Sequence, residues 1–297
     1  MLAYLMRRLV FAVALIFVAS SASLLLTRLA PGDYATQSLG IGASSQQIAD
    51  LRARYGLERP AVQQYGAWLV GILRFDFGRS FAYDRPVSEL IPERAANTAI
   101  LAVTALAVAT IVGLPLGVIT GTRRGGIPAL IRAISVALLS MPPLLTSLLL
   151  VFIAARTRWV PIDHLIVASA ALALPVAATF ERLQSQAMQD AIGQPYILAT
   201  MARGVPRGRL VWRDAFRAAL RPITSVYGLV IGTLLSGSFV VEMITTWPGL
   251  GRLMLEALRA RDVYLVVGCA ATGAALLAVG TVLSDAALAL VDPRARE

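Results

Sequence analysis

The interval Gln194–Pro222, QPYILATMARGVPRGRLVWRDAFRAALRP, is the longest charged stretch in the second half of an otherwise apolar chain of 297 residues. Its first half, opened by Pro195, reads as a short helix. At 100° per residue Ile197 stands one turn from Met201 and Leu198 one turn from Ala202, while Tyr196, Ala199, Thr200 and Arg203 share the remaining face. Gly204 supplies a left-handed stop that any Cβ would resist. A helix of about nine residues is marginal alone in water, and apolar groups around most of its circumference call for burial. We therefore expect it to dock into a partner. The second half spaces Arg209, Arg213, Arg217 and Arg221 four apart beside Trp212, Ala215, Phe216 and Ala219, the pattern of a basic amphipathic helix lying on anionic headgroups.

Outward from this interval the chain is a membrane protein. With 57% apolar residues, 15% charged residues and a mean hydropathy of +0.71, it has too little polar surface for a soluble globule. Charge-free runs cover 9–27, 95–122, 133–155, 165–180, 222–241 and 263–284. About 20 apolar residues cross the hydrocarbon core, so five runs are long enough and 165–180 is marginal. The expectation is an all-α polytopic membrane protein with six transmembrane helices.

Composition also excludes chemistry. All 27 basic residues are arginine, which rules out a P-loop lysine or a Schiff-base lysine. One cysteine, Cys269, and one histidine, His164, build neither a disulfide framework nor a Cys/His zinc site, so no metal is expected. With the N-terminus inside, fourteen arginines face five acids on the internal side and thirteen face ten outside, which places both termini and the 194–222 loop on the cytoplasmic face.

Residues 1–30 are a tail and first span, expected to be uncleaved although Ala19–Ser23 offers small residues. Residues 31–94 are an external insertion. Ser44 with Gln47 forms a capping box for a helix ended by Gly56, and Pro60 opens a second helix with Tyr65, Trp68, Leu69 and Ile72 on one face. The insertion is too short for a sizeable core and should lean on the membrane helices or a partner. Residues 95–297 form a five-helix core with a coupling loop over 182–222, reached at Glu181.

Met141, Pro142 and Pro143 break the third span near its middle. Such a break is tolerated in lipid where freed carbonyls face protein or a water-filled cavity, so Met141 and Pro142 are candidates for a translocation path. Ser236 and Ser238, among Gly228, Gly232 and Gly237 of span five, make a small-residue seam suited to packing or sliding on that path. Glu242, Trp247, Pro248, Gly249 and Gly251 form an external turn or gate.

Two other functions compete. An ion-coupled secondary transporter would suit six helices and a broken span, but it places ionisable groups mid-membrane, whereas Glu242 and Asp285 lie near helix ends. An intramembrane serine hydrolase would need Ser236 or Ser238 as nucleophile and His164 as base, yet Leu235 precedes Ser236 where a glycine is expected and His164 sits at the outer edge of its span.

Taken together, Arg7-Arg8-Leu9, Leu29-Ala30-Pro31-Gly32-Asp33, Tyr55-Gly56-Leu57, Arg59-Pro60, Asp76-Phe77-Gly78, Ser80, Ser140-Met141-Pro142, Tyr196, Ala202, Gly204, Glu242, Trp247 through Arg252, Asp285 and Asp292-Pro293-Arg294 stand in a diagnostic order. This order resembles the membrane subunits of dipeptide and oligopeptide-type ABC importers across nearly the whole chain. The resemblance implies a type I importer permease fold behind an extra N-terminal span, in the bacterial inner membrane. It implies a second, similar permease, two cytoplasmic ATPase subunits and an external substrate-binding protein as partners, with ATP and Mg on the ATPases and no cofactor on this chain. Tyr196, Ile197, Ala199, Met201, Ala202, Arg203 and Gly204 would form the coupling helix. The cargo would be a peptide, a nickel chelate, glutathione or a sugar. The chain departs from the family pattern at Met201, Asp214, Ala218, Thr245 and Thr281.

Overall fold

The computed structural model describes residues 2–29, 31–40, 42–73, 76–158 and 160–291. Trp159 and the closing Asp292, Pro293 and Arg294 lie outside them. The described chain is helical, its β structure limited to one bridge between Arg79 and Pro86. In order come α1 (Leu2–Leu29), α2 (Tyr34–Leu39), α3 (Ser45–Tyr55), α4 (Ala61–Leu73), α5 (Val87–Thr122), α6 (Gly126–Leu139), α7 (Pro143–Thr157) and α8 (Leu165–Ile192). Then follow α9 (Pro195–Ala202), α10 (Arg207–Arg209), a π-helical turn (Leu210–Ala215), α11 (Phe216–Thr224), α12 (Tyr227–Thr245), α13 (Leu250–Ala260) and α14 (Val263–Val291).

Five helical stretches are long and apolar enough to cross a membrane: Met6–Thr27, Val87–Thr122, Leu165–Ile192, Pro222–Thr245 and Val263–Asp285. The sixth passage exists only if α6 and α7 are counted as one, and they meet at 109°. The break expected in the third span is therefore a sharp corner. Pro142 is extended (φ −61°, ψ 152°), Pro143 opens α7, and a residue preceding proline is pushed out of the α region. The marginal run 165–180 is corrected in the other direction. α8 continues past Phe180 to Ile192, so Glu181 is not where a loop begins, and 182–192 of the expected coupling loop is helix.

One compact unit comprises Met1–Thr98 and Pro248–Ala278. Ser44 and Gln47 form the expected capping box, and Gly56 ends α3 in the left-handed region. On α4, Trp68 is buried against Leu24, Val263 and Val267, with Tyr65, Leu69 and Ile72 beside it. The insertion thus completes its core with α1 and α14. Tyr34, Tyr55, Phe81 and Tyr264 form a chain of ring contacts with centroids 5.1–5.6 Å apart.

Asp33 caps α2, accepting the Thr36 N–H (3.0 Å), and takes a 2.6 Å ion pair from Arg52. Burial raises the Asp33 pKa, but the Arg52 bond and the two bonds from Thr36 lower it more in sum, so it lies below the ordinary aspartate value. The contribution of this carboxylate is then complete above the ordinary value and lost as pH falls through the lowered one. Because the Arg52 side chain is 41% exposed, the pair is worth under about 1 kcal/mol after solvent screening. We expect Asp33→Asn to lower stability at neutral pH by under about 1 kcal/mol and to leave the acid end unchanged, so that the acid limb flattens, as read from thermal melts at stepped pH. An unchanged acid limb would contradict this.

The second unit comprises Ala99–Trp247 and Val279–Glu297. Its main core gathers Leu101, Ala105 and Ala109 of α5, Leu172, Val176 and Phe180 of α8, and Val230, Leu234 and Val241 of α12. Close helix approach was expected in span five, and a Cβ built on Gly228 or Gly237 would meet Ser284 or Leu172 at 3.3 Å. The tightest seam is elsewhere. Gly113, Gly117 and Gly121 of α5 lie so near α8 that a Cβ on each would meet the Ala177, Glu181 and Ser185 carbonyl oxygens at 2.6 Å.

Candidate functional site

The short helix α9 begins where Pro195 occupies its first turn behind an extended Gln194, a position that requires no amide donor. It ends at Ala202. Gly204 follows with φ +78°, the left-handed value that the sequence calls for. Nothing stands within 4 Å of a Cβ built there, so backbone geometry alone selects the glycine. The Thr200 hydroxyl donates to the Tyr196 carbonyl (2.8 Å), and Arg203 Nη2 donates to Thr200 Oγ1 (3.2 Å).

The two faces of α9 have different roles. Ile197 is fully buried in a cluster with Val118, Met188, Leu210, Val211 and Ala215. It anchors the helix to its own chain and presents nothing to a partner. This corrects its expected place on the docking face; being 100° around from Tyr196 puts it on the inner side. Tyr196 (52%) and Met201 (58%) are exposed, as are Ala199, Ala202, Arg203 and Gly204. The residual surface is a small apolar platform rimmed by Arg203.

Beyond Gly204 the chain packs through Leu210, Val211, Ala215, Ala219 and Ile223. The π-helical turn at Leu210–Ala215 widens the helix by a fraction of a residue per turn, which brings neighbouring Leu210 and Val211 both inward. Arg209, Arg213 and Arg217 are exposed, and the half-exposed ring of Trp212 meets that of Phe216 at a tilt of 46° with centroids 6.1 Å apart. The side chain of Arg221 lies outside the described residues.

Met141 and Pro142 occupy the corner between α6 and α7, and Gly237 of α12 lies 3.6 Å, measured from a built Cβ, from Pro143 beside them. Ser236 is exposed on α12. Ser238 is fully buried and donates to the Leu235 carbonyl (2.9 Å), because two residues along a helix turn the side chain by 200°. His164 Nδ1 accepts the Ile166 N–H and caps α8. Neither group of a serine–histidine pair is disposed for catalysis.

Among the gate candidates, Glu242 is fully buried near the end of α12, and Trp247 packs on the core of its unit. In the other unit, the Pro248 carbonyl accepts from Asn97 Nδ2 (2.9 Å), Gly249 precedes α13 in an extended conformation, and Gly251 is buried. Sequence reading missed two features. The Gly113, Gly117 and Gly121 stripe was visible as a repeat of four. Asp262 was visible as an acid just before an apolar run, the ordinary helix-start signal. Along the seam Glu181 and Gln184 of α8 are buried; Thr120 donates to Glu181, whereas neither amide atom of Gln184 has a hydrogen-bond partner among the described residues. No group of three or more His, Cys, Asp or Glu suited to a metal occurs among the described residues.

Comparison with known proteins matches residues 113–297 to the binding-protein-dependent transport system inner membrane component family, and residues 1–102 to the N-terminal model of such membrane components. The chain is 31% identical to the oligopeptide transport system permease protein AppB of Bacillus subtilis, over 99% of each chain. It is 32% identical to a putative peptide transport system permease protein of Brucella suis and 29% identical to a probable peptide ABC transporter permease protein of Sinorhizobium fredii, again over 99% of each chain. These similarities favour a transport subunit over the hydrolase and the ion-coupled carrier. With its five apolar helical stretches of membrane-crossing length, this all-α protein belongs to the family of binding-protein-dependent transport system inner membrane components.

Proposed function

We propose that this chain is the permease of an ATP-driven importer for peptides, and that α9 transmits the stroke of a cytoplasmic ATPase. The observation that carries the reading is the division of α9 into a buried root at Ile197 and an exposed platform of Tyr196, Ala199, Met201 and Ala202. A helix rooted in its own core moves that core when it is pushed. Burying Tyr196 and Met201 would gain about 1.5–3 kcal/mol each, most of it offset by the cost of association, so one platform holds a partner weakly. A second, similar permease offering a second platform to a pair of ATPases fits that weakness. Substrate would arrive from an external binding protein. The cargo is inferred from the printed names of the relatives, which are peptide permeases.

The excess of arginine on one side supports a cytoplasmic position for both termini and α9. The chain supplies no cofactor in this scheme; ATP and Mg act on the ATPases, in keeping with an all-arginine basic complement. Closure of the ATPase pair would tilt α9 and the α8 end it is packed on, exchanging inward-open and outward-open states of the path beside the Met141–Pro142 corner.

Ala202→Arg tests this directly, since the exposed methyl has room in the monomer and none in a close-packed groove. In proteoliposomes with the complete transporter, peptide uptake should fall at least about 30-fold while the chain still inserts and melts normally. Wild-type uptake by the variant would remove α9 from the coupling step.

A further inference from the structure

α5 ends at Thr122, followed by Arg123 and Arg124 and faced by Arg132 of α6 and Arg207 of α10. Two adjoining cavities of about 700 and 830 Å³ open among these side chains. Two of the four arginines have structural partners: Arg132 Nη1 donates to the Thr120 carbonyl (3.2 Å) and Arg207 Nη2 to the Thr122 carbonyl (3.3 Å). These carbonyls belong to the last turn of α5, where no intrahelical donor remains and the helix dipole is negative. Arg123 and Arg124 have no such role. Both are exposed, both line both cavities, and neither is ion-paired among the described residues. No carboxylate lines either cavity, so the positive charge of the opening is uncompensated within the chain.

Position fixes the chemistry that would compensate it. The opening lies at the end of a membrane-length helix, and the exposed ring of Trp212 lines one side. Arginine beside tryptophan at the end of a span marks the headgroup level of a bilayer. Along α6, one and two turns beyond Arg132 on the same face, stand Val136 and Leu139, 56% and 36% exposed. An anion in this opening can therefore carry an apolar chain that runs along α6.

We propose that Arg123 and Arg124 bind the phosphate of an acidic phospholipid headgroup, with Trp212 beside the headgroup and an acyl chain against Val136 and Leu139. The arginine fork matches phosphate oxygens in a way that a point charge does not. The exposed arginines Arg209, Arg213 and Arg217 line neither of these two cavities.

The test is native mass spectrometry of the purified full chain, titrated with phosphatidylglycerol or phosphatidylcholine of the same acyl composition. Wild type should prefer the acidic lipid by about 25-fold, about fivefold for each arginine at the surface. Arg123→Gln/Arg124→Gln should lose that preference, while Arg156→Gln/Arg158→Gln, exposed arginines at the far end of α7 that line neither cavity, should keep it. Both substituted pairs are exposed, so melts matching wild type will accompany the result. Preference surviving in the first variant, or lost equally in the second, overturns the site. Binding of inorganic phosphate at the same residues without lipid would assign them to the free ion and overturn the lipid source. Loss of ATPase co-purification with lipid binding unchanged would give the opening to an acidic protein partner, and would also overturn it.

Discussion

Gly117→Val should yield no stable folded chain. A Cβ at Gly117 would stand 2.5 Å from Gln184 Cβ and 2.6 Å from the Glu181 carbonyl oxygen, and the second of these is backbone inside α8 that no rotamer change can move. α5 and α8 would have to separate. They cannot do so locally, because Gly113 and Gly121, one turn on either side, hold the helices equally close, with built Cβ distances of 2.6 Å to the Ala177 and Ser185 oxygens. Separation would open the contact along three turns, losing packing around Val118, Phe180 and Met188 and adding solvent or lipid access to Glu181. Overpacking by two methyl groups on top of the Cβ should cost more than about 3 kcal/mol, a large part of the stability of a single domain. Detergent extraction followed by size-exclusion chromatography should show loss of the monodisperse peak. Gly126→Ala is the control, since nothing lies within 4 Å of a Cβ at that position. A Gly117→Val chain that elutes and melts like wild type would show that the seam is looser than described.

The second large effect is expected at Asp262, a fully buried carboxylate that joins segments far apart in the sequence. Asp262 Oδ2 accepts from the Ser80 hydroxyl (2.6 Å) and the Ala82 N–H (3.0 Å), and Oδ1 accepts from the Leu265 N–H (3.2 Å). Ser80 Oγ in turn accepts the Tyr83 N–H (3.1 Å), and Tyr83 donates its phenol to Glu256 (2.8 Å). Burial and that bond to Glu256 both raise the Tyr83 pKa, so the phenol stays protonated as a donor. Asp262→Ala would leave the buried Ser80 hydroxyl and two backbone N–H groups without acceptors. Each such orphan costs about 1–3 kcal/mol, so a loss of about 3–5 kcal/mol is expected. The loss should localise: limited proteolysis should cut within 76–86 in the variant before any other described segment. Asp262→Asn keeps one acceptor oxygen and should recover part of the protection. Uniform proteolysis, or none, would count against the latch.

Both residues illustrate how far reading along the chain can go. The ends of α9 were legible because proline, an apolar turn and a left-handed glycine are local signals, and Gly204 carries the φ they require. The helices of the insertion were legible through Ser44 with Gln47 and through Gly56 for the same reason. What α9 faces was not. Periodicity divides a helix into faces but does not say which face meets its own chain, and the buried position of Ile197 is set by Leu210 and Val211 after the chain has turned back. The corner at Ser140–Pro143 was visible as a break, whereas its 109° angle depends on how α7 settles against α8 and α12. Glu181 was misplaced because charge was taken to end a span; Thr120, offered by the close approach of α5, lets the carboxylate stay inside.

The sequence by itself determined the solvent of this protein, the number of apolar passages to within one, the boundaries of α9 and the lack of lysine chemistry, since each follows from composition or from neighbours a few residues apart. Tertiary structure alone decided the inward turn of Ile197, the glycine seam of α5 on α8 and the latch between Ser80 and Asp262, 182 residues apart. Each of these is a meeting of surfaces, and the energy of a packed surface or a buried hydrogen bond belongs to both partners at once.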